Sequence, residues 1–307
     1  MNAQGDPCLD SIIVMLDGSH LAEAVLPLAT SLAGRLDAGL VLVHVLEEAP
    51  PATIHGEPHL TTHADAEAYL ALVAEVLRSR GLKVATHVHD NPQHDVARSI
   101  AEHAEELHGD LIALCAHGRG GLRGWLIGRT AQQVITKAGR PVLVVPGAPA
   151  GPYSTVARIL LPVDQVGDVA AALPLARCIA KAYRAEMVLV TVVPTPETMP
   201  GEAGAANVFL PHASAEMLKW AEEDAREALA RLGEDLAREG LATASEVRRG
   251  YAAHELLRAI AVHDIDLAVL ATHGRAGWEG LWAGSVGPRV VASGLSPVLV
   301  VPIPRTE

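Results

Sequence analysis

The chain carries one pattern twice, with the second copy displaced by 156 residues. The tripeptide His-Gly-Arg starts at His117 and again at His273, and the run Pro-Val-Leu-Val-Val-Pro fills 141–146 and again 297–302. Units of solenoid proteins are only about 20 to 50 residues long. A repeat of this length therefore indicates two similar domains in tandem.

The first half of the second copy is longer than its counterpart. The opening apolar runs end at Asp17 and Asp164, which are displaced by only 147 residues. About nine residues have thus been added, and we expect them in the Gly/Ala/Pro-rich stretch 194–211, read as a loop. A short, stiff linker is expected at 147–152. The predicted domains are 1–149 and 150–307.

Short apolar runs alternate with longer amphipathic runs in both copies. Fully apolar strands separated by helices are typical of a parallel sheet covered on both faces, with right-handed crossovers. The predicted class is α/β, with two tandem doubly wound, Rossmann-like sheets of five parallel strands each. The predicted strands are 12–16, 40–46, 84–89, 111–116 and 142–145, then 159–163, 187–193, 244–247, 267–271 and 298–301. The predicted helices are 21–36, 64–80, 96–107, 130–138 and 215–239.

Composition excludes several classes of function. A net charge of −12 repels nucleic-acid backbones, and 3% aromatic residues offer few platforms for base stacking. The chain shows neither a secretion signal nor an apolar run of the roughly 18 residues that a membrane helix needs. Cys8, Cys115 and Cys178 are too scattered for a disulfide framework, so reduced thiols are expected. We predict a cytoplasmic protein without nucleic-acid or membrane partners.

Glycine-containing turns follow the fourth strand of each copy. Gly118 and Gly274 lie in these turns, and Gly128 and Gly284 precede the next helix. Glycines let backbone N–H groups approach an anion closely, and a helix N-terminus adds free donors. The turns therefore favour phosphate binding, and a generic tight turn is the alternative.

With these turns the chain resembles the universal stress protein family, in its tandem-domain form. Nucleotide-binding members of that family carry a glycine, two residues, a second glycine, nine residues, and then Gly-Ser or Gly-Thr. The second copy matches with Gly274, Gly284 and Ser285, whereas Ala271 replaces the first glycine. Ser285 would donate to a phosphate oxygen or merely cap the helix.

The first copy departs from the signature at two positions. Cys115 replaces the first glycine, and Gly118 and Gly128 match. Arg129 stands where Ser or Thr is expected, and Thr130 comes one place late. A guanidinium at this position could itself pair with phosphate. Occupancy of the second site alone, of both sites, or of neither remains open.

The resemblance also implies contacts to the adenine and ribose. Asp17 and Asp164, at the ends of the first strands, would reach the adenine, although Asp is also a preferred helix cap. Val45 and Val192, at the ends of the second strands, would pack beside the base and ribose. The predicted sites are Asp17, Val45, Cys115, Gly118, Gly128, Arg129 and Thr130, and Pro162, Val163, Asp164, Val192, Ala271, Gly274, Arg275, Gly284, Ser285 and Val286.

The predicted function is the binding of an adenine nucleotide, ATP with or without Mg²⁺, as a regulatory ligand in a stress response. The chain has no Walker A loop and no Gly-x-Ser-x-Gly elbow, so enzymatic activity is not predicted beyond slow ATP hydrolysis. The alternative is an interaction protein of the family branch that binds no nucleotide. The resemblance further implies that strands 142–145 and 298–301 pair with each other as an intramolecular pseudo-dimer. Homodimerisation of the chain is a separate possibility.

Fifteen histidines raise the question of a metal site. His87 and His89 alternate on one strand face and His94 follows, whereas Pro58 interrupts the four-residue spacing of 55, 59 and 63. None of these spacings is a recognised ligand pattern, so no metal is predicted. His117 and His273 are interpreted as structural residues of their turns, because no nucleophile lies beside them in the sequence.

Overall fold

Apolar runs form strands and the amphipathic runs between them form helices in the computed structural model of the chain. The structure describes residues 8–47, 52–89, 95–116, 128–147, 153–164, 169–199, 211–272 and 286–303. The strands are β1 (Ser11–Met15), β2 (Gly39–Val45), β3 (Thr53–Ile54), β4 (Glu57–Pro58), β5 (Val84–His89), β6 (Leu111–Ala116), β7 (Val142–Pro146), β8 (Arg158–Pro162), β9 (Glu186–Val193), β10 (Thr243–Arg249), β11 (Leu267–Thr272) and β12 (Val298–Pro302). The α-helices are α1 (Leu26–Leu36), α2 (His63–Ser79), α3 (Val96–Glu106), α4 (Arg129–Lys137), α5 (Val169–Tyr183), α6 (Pro211–Arg238), α7 (Ala252–Val262) and α8 (Val286–Ser293).

Ten of the strands form one sheet, in the order β10-β9-β8-β11-β12-β7-β6-β1-β2-β5. Each half of the chain contributes five strands, and the pairs within each half are parallel. Because both faces of the inner strands are covered, their apolar runs are continuous, whereas the edge strands β5 and β10 also carry polar residues. The predicted fold class is confirmed, with the two five-stranded sheets merged edge to edge.

The junction between the halves is the antiparallel pair of β7 and β12. Leu143 lies opposite Leu299, and each side chain is 1% exposed. Pairing these strands removes two apolar edges that would otherwise template aggregation. The predicted pairing of the final strands is therefore confirmed within the chain.

The hydrophobic core forms two layers, one on each face of the sheet. One layer, which includes Leu143 and Leu299, is continuous across both halves and underlies α1 and α5. These two helices touch, and the hydroxyl of Tyr183 donates to that of Ser31 at 2.7 Å. The halves are thus joined by helix packing as well as by backbone pairing.

Two cysteines also connect the halves, which corrects the sequence prediction. Cys8 precedes β1, Cys178 lies in α5, and the two form a disulfide with their Cα atoms 5.9 Å apart. The prediction of reduced thiols was wrong for this pair. The two cysteines are 170 residues apart in the sequence. They meet because α5 of the second half packs against α1 of the first half, a contact that no spacing in the sequence reveals.

Cysteine labelling will test this linkage. Cys115 is buried, and burial raises the pKa of its thiol to about 12, so it has almost no reactive thiolate at neutral pH. We expect iodoacetamide to add no label to the native, unreduced protein, one after unfolding, and three after unfolding with reductant, read by mass spectrometry. Three labels after unfolding without reductant would contradict the disulfide.

A small hairpin was not predicted. β3 and β4 pair antiparallel through the two-residue turn His55-Gly56, whose φ angles are 53° and 85°. Positive φ at both central residues is the type I′ geometry that suits hairpins. Strands of two residues are too short to show a period of two, so the Gly56 turn was the only sequence signal.

Candidate functional site

The two candidate sites lie where strand order reverses. β8 lies between β9 and β11, and β1 lies between β2 and β6, so the crossovers on either side of each central strand depart in opposite directions. In open parallel sheets this reversal opens a crevice beyond the carboxyl ends of the strands. Each half of the chain has such a crevice.

The crevice of the second half, which we call the C-crevice, has a volume of about 430 Å³. That volume falls within the range of ligand pockets, roughly 300–1,000 Å³. Its walls come from the ends of β8, β9 and β11 and from the start of α8. Among the residues lining it are Pro162, Val163, Asp164, Val192, Ala271 and Val286. The structure thus brings together these six predicted residues, while Gly274, Arg275, Gly284 and Ser285 lie outside the described residues.

The crevice of the first half, the N-crevice, has a volume of about 550 Å³. Its lining includes the predicted residues Asp17, Val45, Cys115, Gly128 and Thr130. The first helical residue of α4 is Arg129, preceded by Gly128, which has no side chain to cap the free N–H groups. Predicted residue Gly118 and the Arg129 side chain lie outside the described residues.

The two aspartates differ in their surroundings. Asp17 Oδ1 accepts from the backbone N–H of Ser19 at 2.9 Å and from its hydroxyl at 2.6 Å, and Ser19 Oγ accepts from Ala22 N–H at 3.1 Å. Asp17 therefore does not cap the following helical turn itself. It fixes Ser19, whose hydroxyl oxygen provides the cap. Asp164 is exposed at the mouth of the C-crevice.

The hairpin β3–β4 brings histidine side chains to the lining of the N-crevice. It contributes Ile54 and His55 to the lining, and His59 follows it. Nε2 of His55 lies 3.9 Å from Oδ2 of Asp17. These histidines were weighed as metal ligands from the sequence, but their place beside the predicted adenine-binding aspartate was missed.

His44 occupies a buried position with a matching residue in the other half. Its Nδ1 lies 2.8 Å from the carbonyl oxygen of Leu16, and Thr191 Oγ1 donates to the carbonyl of Val163 at 2.6 Å in the second half. His44 thus links β2 to the residue that follows β1, and Thr191 links β9 to the residue that follows β8. His44 is 2% exposed, and burial lowers its pKa despite that hydrogen bond. The imidazole is therefore neutral in the folded state at neutral pH.

This burial makes stability depend on pH. Because the pKa of His44 is lower in the folded than in the unfolded state, the unfolded state takes up a proton first as pH falls below 6.5. We expect the free energy of unfolding to fall there by up to about 1.4 kcal/mol per pH unit on account of His44. His44→Thr, which copies Thr191, should remove this contribution in urea titrations from pH 7.5 to 5.

Thr191→Val is the matched control for that measurement. It removes the equivalent hydrogen bond without touching a titratable group, so it should cost about 1 kcal/mol at every pH. Identical pH dependence of the wild type and His44→Thr would show that His44 does not titrate as described.

Three other histidines meet at the edge of the sheet. The His103 ring centroid on α3 lies 4.0 Å from that of His89 and 5.0 Å from that of His87. The sequence grouped His87 and His89 with His94, which lies outside the described residues. His103 was missed, because it belongs to the next helix and shares no spacing with the strand.

The fold and its two crevices define a tandem, doubly wound α/β protein of the Rossmann-like class. The Universal stress protein family profile matches residues 9–146 and 155–302, which is most of the sequence. The chain therefore belongs to the Universal stress protein family.

The relatives match either nearly the whole chain or about half of it. A universal stress protein of Mycolicibacterium smegmatis is 25% identical over 94% of this chain and 96% of its own. One from Methanocaldococcus jannaschii is 30% identical over 46% of this chain and 84% of its own. Among solved structures, a universal stress protein from Archaeoglobus fulgidus has a TM-score of 0.70 and 16% identity, covering 95% of this chain and 96% of its own. A functionally unknown protein from Pseudomonas aeruginosa has a TM-score of 0.70 and 19% identity, covering 96% of this chain and 92% of its own.

Among the described residues, no helix combines the length and the apolar character needed to cross a bilayer.

Proposed function

We propose that the C-crevice binds an adenine nucleotide, ATP in particular, as a regulatory ligand. The observation that supports this most is the crevice itself. It is an apolar slot of about 430 Å³ at a switch point, with the exposed Asp164 at its mouth and the start of α8 at its far side. A purine has flat apolar faces and polar edges, which fit apolar walls and one hydrogen-bonding carboxylate.

The base would lie between the ends of β8 and β9. Val163 and Val192 supply apolar walls, and Leu256 and Leu270 extend them from α7 and β11. Asp164 would accept a hydrogen bond from the exocyclic amino group of adenine. Guanine has a carbonyl oxygen at that position, so a carboxylate there discriminates against it.

The phosphates would extend towards α8. Its first residues, Val286 and Gly287, line the crevice, and a helix N-terminus offers free N–H donors. The signature residues Gly274, Gly284 and Ser285 precede this helix in sequence and would add amide and hydroxyl donors. Arg275 and a Mg²⁺ ion would compensate the phosphate charge, which the net charge of −12 does not.

The C-crevice is favoured over the N-crevice because its aspartate is more accessible. Asp17 already accepts two hydrogen bonds from Ser19, and His55 lies 3.9 Å away from its other oxygen. An adenine amino group entering the N-crevice would compete with these contacts. Asp164 is exposed, which leaves its carboxylate accessible at the mouth of the C-crevice.

Binding would act as a signal, with nucleotide occupancy of the C-crevice recognised by a partner protein. We infer domains 1–149 and 150–307 as the units of this device. The cytoplasm is the proposed location, which makes the Cys8–Cys178 disulfide an exception to the reduced state usual for cytoplasmic thiols.

Calorimetric titration of the full chain with ATP and Mg²⁺ tests the proposal. We expect one ATP per chain, weaker binding of GTP, and slow or no release of phosphate over hours. Denaturing the purified protein and analysing the supernatant for adenine nucleotides is the independent readout. If the supernatant holds no nucleotide and the titration gives neither heat nor thermal stabilisation, the proposal fails and the interaction-protein alternative stands.

A further inference from the structure

We propose that His87, His89 and His103 form a binding site for one divalent transition-metal ion, of which Zn²⁺ is the best fit. The ligand nitrogens of these residues lie within 4.8 Å of one another. In the part of the chain that the structure describes, this is the only group of three or more His, Cys, Asp or Glu side chains placed closely enough to share an ion. The site is separate from both crevices.

Two of the ligands are fixed by strand register. His87 is paired with Val43 and His89 with Val45, so both histidines point to the same face of the sheet as these two valines. That face is covered by α3, whose Ile100 joins the same apolar layer as the two valines. Since β5 is the edge strand, the histidines lie at the border between this layer and solvent.

The third ligand is oriented by its own helix. Nδ1 of His103 lies 3.0 Å from the backbone carbonyl oxygen of Ser99, one turn earlier in α3. A carbonyl only accepts, so Nδ1 carries the proton and the lone pair resides on Nε2. Ligating histidines are commonly held in this way, with one ring nitrogen donating to a carbonyl and the other bound to the metal. His103 is 8% exposed, which fixes the direction of its ring further.

The donor set selects the class of ion. Three neutral imidazoles suit Zn²⁺, Cu²⁺ or Ni²⁺ and are poor ligands for Mg²⁺ or Ca²⁺. Tetrahedral zinc with bonds of about 2.0–2.1 Å places its nitrogens about 3.3 Å apart, which small ring rotations would reach from the present spacing. A carboxylate oxygen of Glu106 lies 3.8 Å from Nε2 of His103 and is available as a fourth ligand.

The other half shows that this face does not require histidines. Glu246 and Arg248 of β10 pair with Val190 and Val192, just as the histidines pair with their valines. They form an ion-pair network in which Arg248 bonds Glu246 at 2.7 Å and Glu255 at 3.0 Å. In that network the charged groups pair with one another, whereas three converging imidazoles offer nitrogen ligands to one cation. The N-terminal half thus carries nitrogen ligands where the C-terminal half carries an ion-pair network.

Titration of the full chain with ZnCl₂, followed by calorimetry, tests the site, and Co²⁺ gives an independent readout through its visible absorption. We expect one ion per chain. His87→Gln and His89→Gln, on the half-buried edge strand, should each weaken binding by at least ~10-fold, since even the loss of an outer partner costs about 10–100-fold. His103→Gln should do the same, and a thermal melt without metal shows whether each variant is folded.

Two variants serve as controls. His254→Gln replaces an exposed histidine of the second half, and His55→Gln replaces one in the N-crevice. Both should bind Zn²⁺ as the wild type does. The proposal is overturned if the wild type binds no zinc, or if folded His87→Gln and His89→Gln bind zinc as tightly as the wild type. It is also overturned if His55→Gln or His254→Gln lowers the affinity for zinc as much as His87→Gln and His89→Gln do.

Discussion

Val192→Trp will abolish most of the nucleotide binding of this protein while leaving it folded. Val192 lies on the wall of the C-crevice at the end of β9 and is only partly buried. An indole at this position would fill space that the adenine needs. We expect the dissociation constant for ATP to rise by at least ~100-fold, about 2.8 kcal/mol of binding free energy, in calorimetric titration.

Val45→Trp is the matched control, because Val45 holds the same register position at the end of β2 and lines the N-crevice. Each added indole is directed into an existing crevice, so the cost in stability should stay within about 1–3 kcal/mol for both variants. We expect Val45→Trp to bind ATP within about 3-fold of the wild type, a difference of roughly 0.6 kcal/mol.

The reverse pattern would move the site to the first half. If Val45→Trp loses ATP and Val192→Trp retains it, the reasoning from the exposed Asp164 is wrong, and the hydrogen bonds between Asp17 and Ser19 must yield to the base. Equal partial losses, with two ATP per chain in the wild type, would indicate that both crevices are occupied.

Much of the fold was predictable because buried parallel strands leave continuous apolar runs. β5 and β6 begin and end where the sequence predicts, since polar or charged residues adjoin them, namely Lys83 and Asp90, and Asp110 and His117. The pairing of β7 with β12 followed from the resemblance. The hairpin β3–β4 was not predictable from periodicity, because two strands of two residues carry no pattern.

The candidate sites were predictable where a residue's position along a strand decides its role. Asp164, Val192 and Ala271 end three neighbouring strands, so the sheet itself brings them to one crevice. His103 and the Cys8–Cys178 disulfide depend instead on which elements pack together in space. Such contacts join elements far apart in sequence or differing in period, and a single sequence contains no signal for them.

Replacing Leu143 or Leu299 by alanine is expected to have the largest effect on stability. Both side chains are 1% exposed and lie opposite each other where β7 meets β12. Each substitution leaves a cavity at a site packed by both halves, so we expect each to lower the free energy of unfolding by about 2–5 kcal/mol in urea titrations. The apolar layer continues through this junction, and the loss should therefore affect both halves together.

The double variant shows whether the junction acts as one unit. Since the two leucines share one site, we expect the double substitution to cost less than the sum of the single ones, with a coupling of about 0.5–3 kcal/mol. Leu295→Ala, at a side chain that is 50% exposed, is the control and should change stability by no more than about 0.5 kcal/mol. If Leu143→Ala instead lowers the unfolding transition of the first half alone and leaves that of the second unchanged, the strand pairing contributes little and the halves are stable independently.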